Sequence, residues 1–463
     1  MKTKLLFILF IFWAFSGFAQ RFGQQQIIST ETEKPYLSIP FDIDNDGFID
    51  LLTASGETYG LSWYKNLDGI GNFGEENIIA GTSAFYLSIE FVDLDTDGDK
   101  DILYLRNNPR QVIWVENIDG VGNFGVPQIL LEQEFIKTVV PFDLDNDGDQ
   151  DLIASVTDTF TGWIVWHENL DGQGTFSEEN LLLESDSEYF HIMMVDIDGD
   201  GKEDILAADE SYDPSAIFWY KNMGNAAFGP AQIIYQFQTL LSDWTSIYDL
   251  QVSDINTDGK KDIIITSYHD DNGILVYWLE NLDEQGNYGS LQYIHNSNDA
   301  YLFYDLDNDN DNDMLLYNIY TNIVSWKKNE DGLGNFGAPI IISPNGDFER
   351  NADAADIDGD GWLDIVSAST ANNKLVWYTN NSLGISENEI ANYQIHPNPT
   401  SGVIYIESKQ PISQISVFTI LGQRIETMQN TNQIDLSKAQ AGVYLLKIED
   451  GNGNSQTHKI VKE

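Results

Sequence analysis

The stretch FDIDNDGFID, residues 41–50, decides the fold. It sets Asp42, Asp44, Asp46 and Asp50 within nine positions, a density at which carboxylates repel one another unless a counter-charge intervenes. The same pattern, D-x-D-x-D-G-x-x-D, returns as DLDTDGDKD from Asp93, DLDNDGDQD from Asp143 and DIDGDGKED from Asp196. It returns again as DINTDGKKD from Asp254, DLDNDNDND from Asp305 and DIDGDGWLD from Asp356. Successive copies start 50–58 residues apart, and a fixed period of this size marks a repeat architecture.

Two further markers keep the same beat. After each acidic loop an apolar run ends in tryptophan, at Trp63, Trp114, Trp166, Trp219, Trp278, Trp326 and Trp377. A Gly-rich turn of the type DGIGNFG follows the first six of these. Short apolar runs bounded by turn residues read as four β-strands per unit, the size of one propeller blade. The last tryptophan unit has no FG turn after it, whereas RFGQQQIIS at residues 21–29 supplies an FG and a strand that no tryptophan precedes. The N-terminal strand can therefore complete the last blade, which would remove the open sheet edges. The expected fold is all-β, a seven-bladed β-propeller followed by a small C-terminal β-sandwich. An open β-solenoid, the alternative, leaves the balance of seven tryptophan units and seven FG units unexplained.

In each loop, side chains one, three and five converge, and position six must turn sharply, as glycine or, in the sixth copy, Asn310. Converging carboxylate oxygens suit Ca²⁺, which accepts six to eight such ligands in flexible geometry. Position nine closes the set. The candidate side-chain ligands are Asp42, Asp44, Asp46 and Asp50; Asp93, Asp95, Asp97 and Asp101; Asp143, Asp145, Asp147 and Asp151; Asp196, Asp198, Asp200 and Asp204; Asp254, Asn256, Asp258 and Asp262; Asp305, Asp307, Asp309 and Asp313; and Asp356, Asp358, Asp360 and Asp364. The loop resembles an EF-hand in its first six positions. That analogy implies a backbone carbonyl ligand at position seven, from Phe48, Asp99, Asp149, Lys202, Lys260, Asp311 and Trp362. The expectation is up to seven Ca²⁺, one per blade, with the fifth loop weakest because Asn256 replaces an aspartate.

Acidic loop, tryptophan strand and NFG turn together resemble the FG-GAP/VCBS repeats of integrin-α-type propellers over roughly residues 21–382. That resemblance implies an extracellular, Ca²⁺-stabilised propeller used for adhesion or ligand binding. Ca²⁺ loops often occupy only some blades of such proteins, and here all seven qualify, which adds weight to a purely structural role.

A formal charge of -51 argues against nucleic acid and anionic membrane as partners. The absence of cysteine leaves an exported chain without disulfides, so a large core or bound metal must stabilise it. No histidine has zinc-site spacing, and GIGNFG at residues 69–74 lies between strands, which fits a hairpin better than a dinucleotide site. Enzyme activity ranks below binding. A polysaccharide-degrading propeller and a scaffold without a small ligand remain the alternatives to a recognition or adhesion module for an extracellular glycan or protein. Alternating strands put the acidic loops on one face and the irregular connections on the other, where recognition usually resides. Phe160, Tyr212, Trp244, Tyr268 and His269 are the candidate ligand contacts there.

The ends complete the organisation. Residues 1–19, with Lys2, Lys4 and the apolar run Leu5–Phe15, read as a removed signal peptide, and no apolar run is long enough for a spanning helix. Residues 20–382 are the propeller, 383–392 a linker and 393–463 the tail. In the tail, Pro397-Asn398-Pro399-Thr400, Gly402, Leu421-Gly422, Ile434 to Ser437, Gly442-Val443-Tyr444 and Lys459 to Lys462 look like the C-terminal sorting domain of type IX secretion. This resemblance implies contact with that machinery, then secretion or attachment at the outer cell surface; a monomer is expected.

Overall fold

The computed structural model describes residues 21–380 and 393–462, apart from loop segments at 57–59, 82–85, 108, 158–160, 186–188, 210–214, 238–244, 270–272, 297–298, 319–320, 344–348, 409–411, 420–423, 430 and 451–454. The expected signal peptide and linker lie outside the described residues, as do Leu421 and Gly422. All regular elements described are β-strands. Two compact units separate, one spanning Phe22–Asn380 and the other containing the C-terminal segment.

In the first unit the acidic loop sets the register. Blade 1 pairs Pro35–Phe41, Asp50–Ser55, Gly60–Asn66 and Phe73–Gly81 in that order, with Phe41 opposite Asp50 and Leu52 opposite Trp63. The loop's ninth residue thus opens the second strand. Blades 2 to 6 repeat the arrangement over 86–132, 136–185, 189–236, 245–296 and 299–341. Blade 7 takes Glu349–Ala355, Asp364–Ser369 and Lys374–Tyr378 from the end of the unit, and Gln26–Ser29 from its start. Gln26 stands opposite Trp377, and Phe22 bridges Asn380. These are seven four-stranded sheets.

Burial follows from position in the ring. Second strands such as Asp50–Ser55 are buried throughout, because neighbouring sheets cover both faces. Fourth strands face solvent, leaving Ile78, Ile129 and Ile233 more than half exposed. Apolar clusters span adjacent blades: Leu52 and Trp63 of blade 1 pack with Ile102, Tyr104 and Val115 of blade 2. Trp377 and Val366 of blade 7 pack in the same way with Leu51 and Tyr64 of blade 1, which closes the ring. Six of the repeat tryptophans are buried and Trp166 is half-buried, so the series belongs to the core between blades and not to a ligand surface.

The C-terminal unit holds two sheets. One comprises Tyr393–His396, Val403–Ser408 and Gln433–Asp435; the other comprises Arg424–Gln429, Ile412–Thr419, Gly442–Asp450 and Ser455–Lys462. Ile404 and Ile406 from the first share one core with Ile415, Val417, Leu446 and Ile448 from the second, a sandwich. Asn398 locks the Pro397–Thr400 turn onto the last strand, donating to the Lys459 carbonyl and accepting from the Val461 N–H, each at 2.8 Å.

Candidate metal centres

Each acidic loop is folded by its own carboxylates. In blade 1, Asp42 accepts the N–H groups of Asp46 and Gly47 at 3.1 and 3.0 Å, and Asp46 accepts that of Phe48 at 2.9 Å. Gly47 has φ +89°, and Asn310 takes the same place in the sixth loop at φ 72°. Position nine does most. Asp50 accepts the Ile43 N–H at 3.1 Å through one oxygen and the Asn66 N–H at 2.8 Å through the other. The same pair of bonds recurs at Asp101, Asp151, Asp204, Asp262, Asp313 and Asp364.

Around these bonds, carboxylate oxygens converge within the loops. Carboxylate oxygens of Asp42, Asp44 and Asp50 lie within 4.8 Å of one another, as do those of Asp93, Asp95 and Asp97, and of Asp143, Asp145 and Asp151. Further sets are Asp196, Asp198 and Asp204, and Asp305, Asp307 and Asp313. One oxygen each of Asp44, Asp93, Asp149, Asp198, Asp307 and Asp311 is buried without a hydrogen-bond partner. A buried, unpaired carboxylate oxygen is costly, and a hard cation accepting oxygen ligands fits all of them. The donor set is therefore suited to Ca²⁺. When bound, the ion would supply positive charge to the converging carboxylates.

The electrostatics carry the same message. Burial raises Asp50 and Asp313 to about 7, Asp101 and Asp262 to about 6 and Asp364 to about 8, against backbone N–H bonds that pull the other way. Asp149 and Asp311, at position seven, rise to about 6 through burial and the neighbouring loop aspartates. Without a cation, some of these carboxylates hold protons near neutral pH.

The loops also fasten blades together, a role that reading them one at a time did not anticipate. The Trp114 and Trp219 indole N–H groups donate to Asp101 and Asp204, both at 2.8 Å, so the core tryptophan anchors position nine. Asn117 donates its amide to the Ile43 carbonyl of blade 1 at 3.1 Å, and Asn66 to the Ile357 carbonyl of blade 7 at 2.9 Å. Gly122 packs on the Trp63 ring of the preceding blade, where a β-carbon would stand 2.3 Å from a ring carbon. The repeated Asn and the second turn glycine are the sequence signals for this staple.

Of the candidate ligand contacts, Phe160, Tyr212 and Trp244 lie outside the described residues. Tyr268 is 46% exposed on the strand Asp262–His269, which His269 ends.

A second polar group, which the sequence reading missed, sits on the first strands, where neighbouring blades meet. His191 and Asp249 approach to 3.7 Å across blades 4 and 5. Gln251 donates to Asp249 and to the Tyr301 carbonyl, and the Tyr304 hydroxyl donates to Asp353 at 2.6 Å. Desolvation raises Glu90, Asp249 and Asp353 and lowers His191. Glu90, Gln251 and Asp353 each stand three residues before their acidic loop, and His191 and Asp249 five, so the repeat marks their strand positions, while the packing of neighbouring blades sets the contacts.

Comparison with known proteins agrees with this architecture. The FG-GAP-like repeat family matches residues 42–104, 93–154, 143–207, 196–265 and 305–367. The secretion system C-terminal sorting domain matches residues 394–463. No curated protein matches the chain. Similar solved structures include an Agrocybe aegerita lectin described by its specific recognition of non-reducing terminal N-acetylglucosamine, 17% identical over 73% of this chain and 86% of that one, with a TM-score of 0.48. Another is a Penicillium chrysogenum alpha-L-arabinanase complexed with arabinobiose, 11% identical over 64% of this chain and 93% of that one, with a TM-score of 0.44. Among the described residues no helix is long and apolar enough to cross a membrane. The chain belongs to the FG-GAP-like repeat family, as a propeller whose type IX sorting domain directs it to secretion and the cell surface.

Proposed function

We propose that the protein is a Ca²⁺-stabilised recognition module displayed at or released from the cell surface, binding an extracellular glycan or protein. The observation that carries the calcium requirement is the recurrence around the ring of buried carboxylate oxygens without partners. Cations hold the acidic-loop face rigid, and the irregular connections on the other face, with Tyr268 exposed among them, offer the contact surface. A ligand that selects the ordered face binds only while the loops keep their shape. Incubation of the purified chain with a panel of polysaccharides, with and without calcium, tests this. Retention without chain shortening, lost on chelation, is the expected result, and absence of retention on every glycan and surface protein would leave a scaffold.

A second reading, polysaccharide cleavage, draws on the desolvated acids Glu90, Asp249 and Asp353 of the first strands. A carboxyl with a raised pKa is what general acid catalysis needs, and Asp249 has His191 3.7 Å away as a neighbouring titratable group. Shortening of a polysaccharide that Asp249→Asn abolishes would establish it.

A further inference from the structure

We propose that the seven loops are unequal, because three of them carry their own cation. This inference rests on the calcium reading above and says which loops the ion occupies. The deciding residue stands two places after the repeat tryptophan. In blades 1, 4 and 6 it is Lys65, Lys221 and Lys328; in blades 2, 3 and 5 it is Glu116, Glu168 and Glu280; in blade 7 it is Thr379.

The structure places all three lysines in the loops. The Lys65 ammonium pairs with Asp44 and, at 2.8 Å, with Asp46. That of Lys221 pairs with Asp198 and, at 3.1 Å, with Asp200. Lys328 pairs with Asp307 and Asp309. In every case the partners are positions three and five, two of the carboxylates that would ligate Ca²⁺. The fifth loop joins this class by another route: Asn256 removes a carboxylate at position three, and Lys260 pairs with Asp258.

Loops 2 and 3 differ in sign. Each holds five aspartates, and no lysine pairs with them among the described residues. The glutamate at the deciding position adds a further negative charge, and the field of Glu116 reaches Asp95. Asp149 of loop 3 is 9% exposed and keeps a buried oxygen without a partner, as does Asp93 of loop 2. Loop 7 has four aspartates and the neutral Thr379.

An ammonium is a single charge with three N–H donors, and it satisfies at most a few carboxylate oxygens. Calcium takes six to eight oxygens and double the charge. To enter loop 1, 4 or 6 the ion must displace the lysine from both carboxylates or sit beside it against like-charge repulsion. One oxygen of Asp44, Asp198 and Asp307 stays unpaired despite the lysine, so these loops keep residual affinity. The expected gap between the two classes is on the order of ten- to a hundredfold in dissociation constant.

Native mass spectrometry of the full chain, titrated with Ca²⁺ alone, counts the ions. The wild type is expected to fill about three sites, loops 2, 3 and 7, well before the rest. The variant K65M/K221M/K328M is expected to raise that first class to about six. A wild type that fills all seven together, or a triple variant with an unchanged count, overturns the inference while leaving calcium binding intact. No ion bound by either chain at millimolar Ca²⁺ overturns the calcium reading itself. Should the triple variant not fold, E116K/E168K supplies the converse: loss of about two tight ions supports the inference, and an unchanged count overturns it.

Discussion

The acidic loop of blade 3 and the Pro397–Thr400 turn of the sandwich are both shaped by side chains bonding to the backbone, yet only the loop keeps bare charge. In the turn, Asn398 donates through its amide nitrogen and accepts through its oxygen, both at 2.8 Å, and nothing is left over. In the loop, Asp143 and Asp151 accept backbone N–H groups, but one oxygen of Asp149 is buried without any partner. A carboxylate only accepts, so a cluster of them exhausts the local donors, whereas a neutral amide brings both functions. The difference predicts that the propeller depends on an external cation and the sandwich does not.

Calcium removal should separate the two regions most. Each site saturated at a hundredfold above its dissociation constant contributes about 2.7 kcal/mol, so emptying several lowers the melting temperature by on the order of 10 °C. Hydrogen exchange on the full chain should show lost protection at Asp50–Ser55 and its counterparts, with Gly442–Asp450 unchanged. Equal loss in both units, or none after verified metal removal, breaks the comparison.

Cutting the staple between blades comes next in size. Asn117→Ala removes its amide bonds to the Ile43 and Lys100 carbonyls and its acceptance of the Gly122 N–H, a buried loss of about 2–4 kcal/mol by denaturant unfolding. Gly122→Ala, at φ +82° and against Trp63, should cost about 2–3 kcal/mol. A cost under about 0.5 kcal/mol for both would show that neither ties the blades together.

The effect of pH should depend on calcium. Asp50, Asp313 and Asp364 have folded-state values of about 7, 7 and 8, above the ordinary aspartate value of about 3.9 that applies when unfolded. The stability these groups contribute is present at low pH and is lost as pH rises through 7 and 8, because the folded state binds the extra protons. The chelated protein should therefore gain melting temperature between pH 8 and pH 5.5. With calcium the ligands must be deprotonated, so the increment due to the metal should shrink over the same range. Parallel curves with and without metal would disconnect these carboxylates from the ion.

Smallest is the neutral turn. Asn398→Ala should cost about 1–2 kcal/mol, with no dependence on calcium. A calcium-dependent cost would contradict the contrast from the sandwich side.

Much of the acidic-loop face is readable along the chain, because a nine-residue loop brings its carboxylates together by local geometry. The staple is half readable: Asn117 and Gly122 recur with the repeat, but their partners Ile43 and Trp63 belong to the preceding blade. The lysines stand in plain sight as WYKN and WKKN beside WVEN, WHEN and WLEN. Their meaning depends on a contact across 21 to 23 residues, such as Lys65 with Asp44 and Lys221 with Asp198, which strand pairing creates. His191 and Asp249 each stand five residues before the first aspartate of their own loops, but only the packing of blade 4 on blade 5 brings them together.

The sequence by itself determined the all-β repeat, its blade-sized period, the seven acidic loops and the sorting tail, since each depends on residues close in the chain. Tertiary structure decided which loop carboxylates are answered by lysine, how position nine is pinned by tryptophan and asparagine, and which polar side chains meet on the first strands. Those outcomes depend on register and ring closure, which join residues that no local spacing connects.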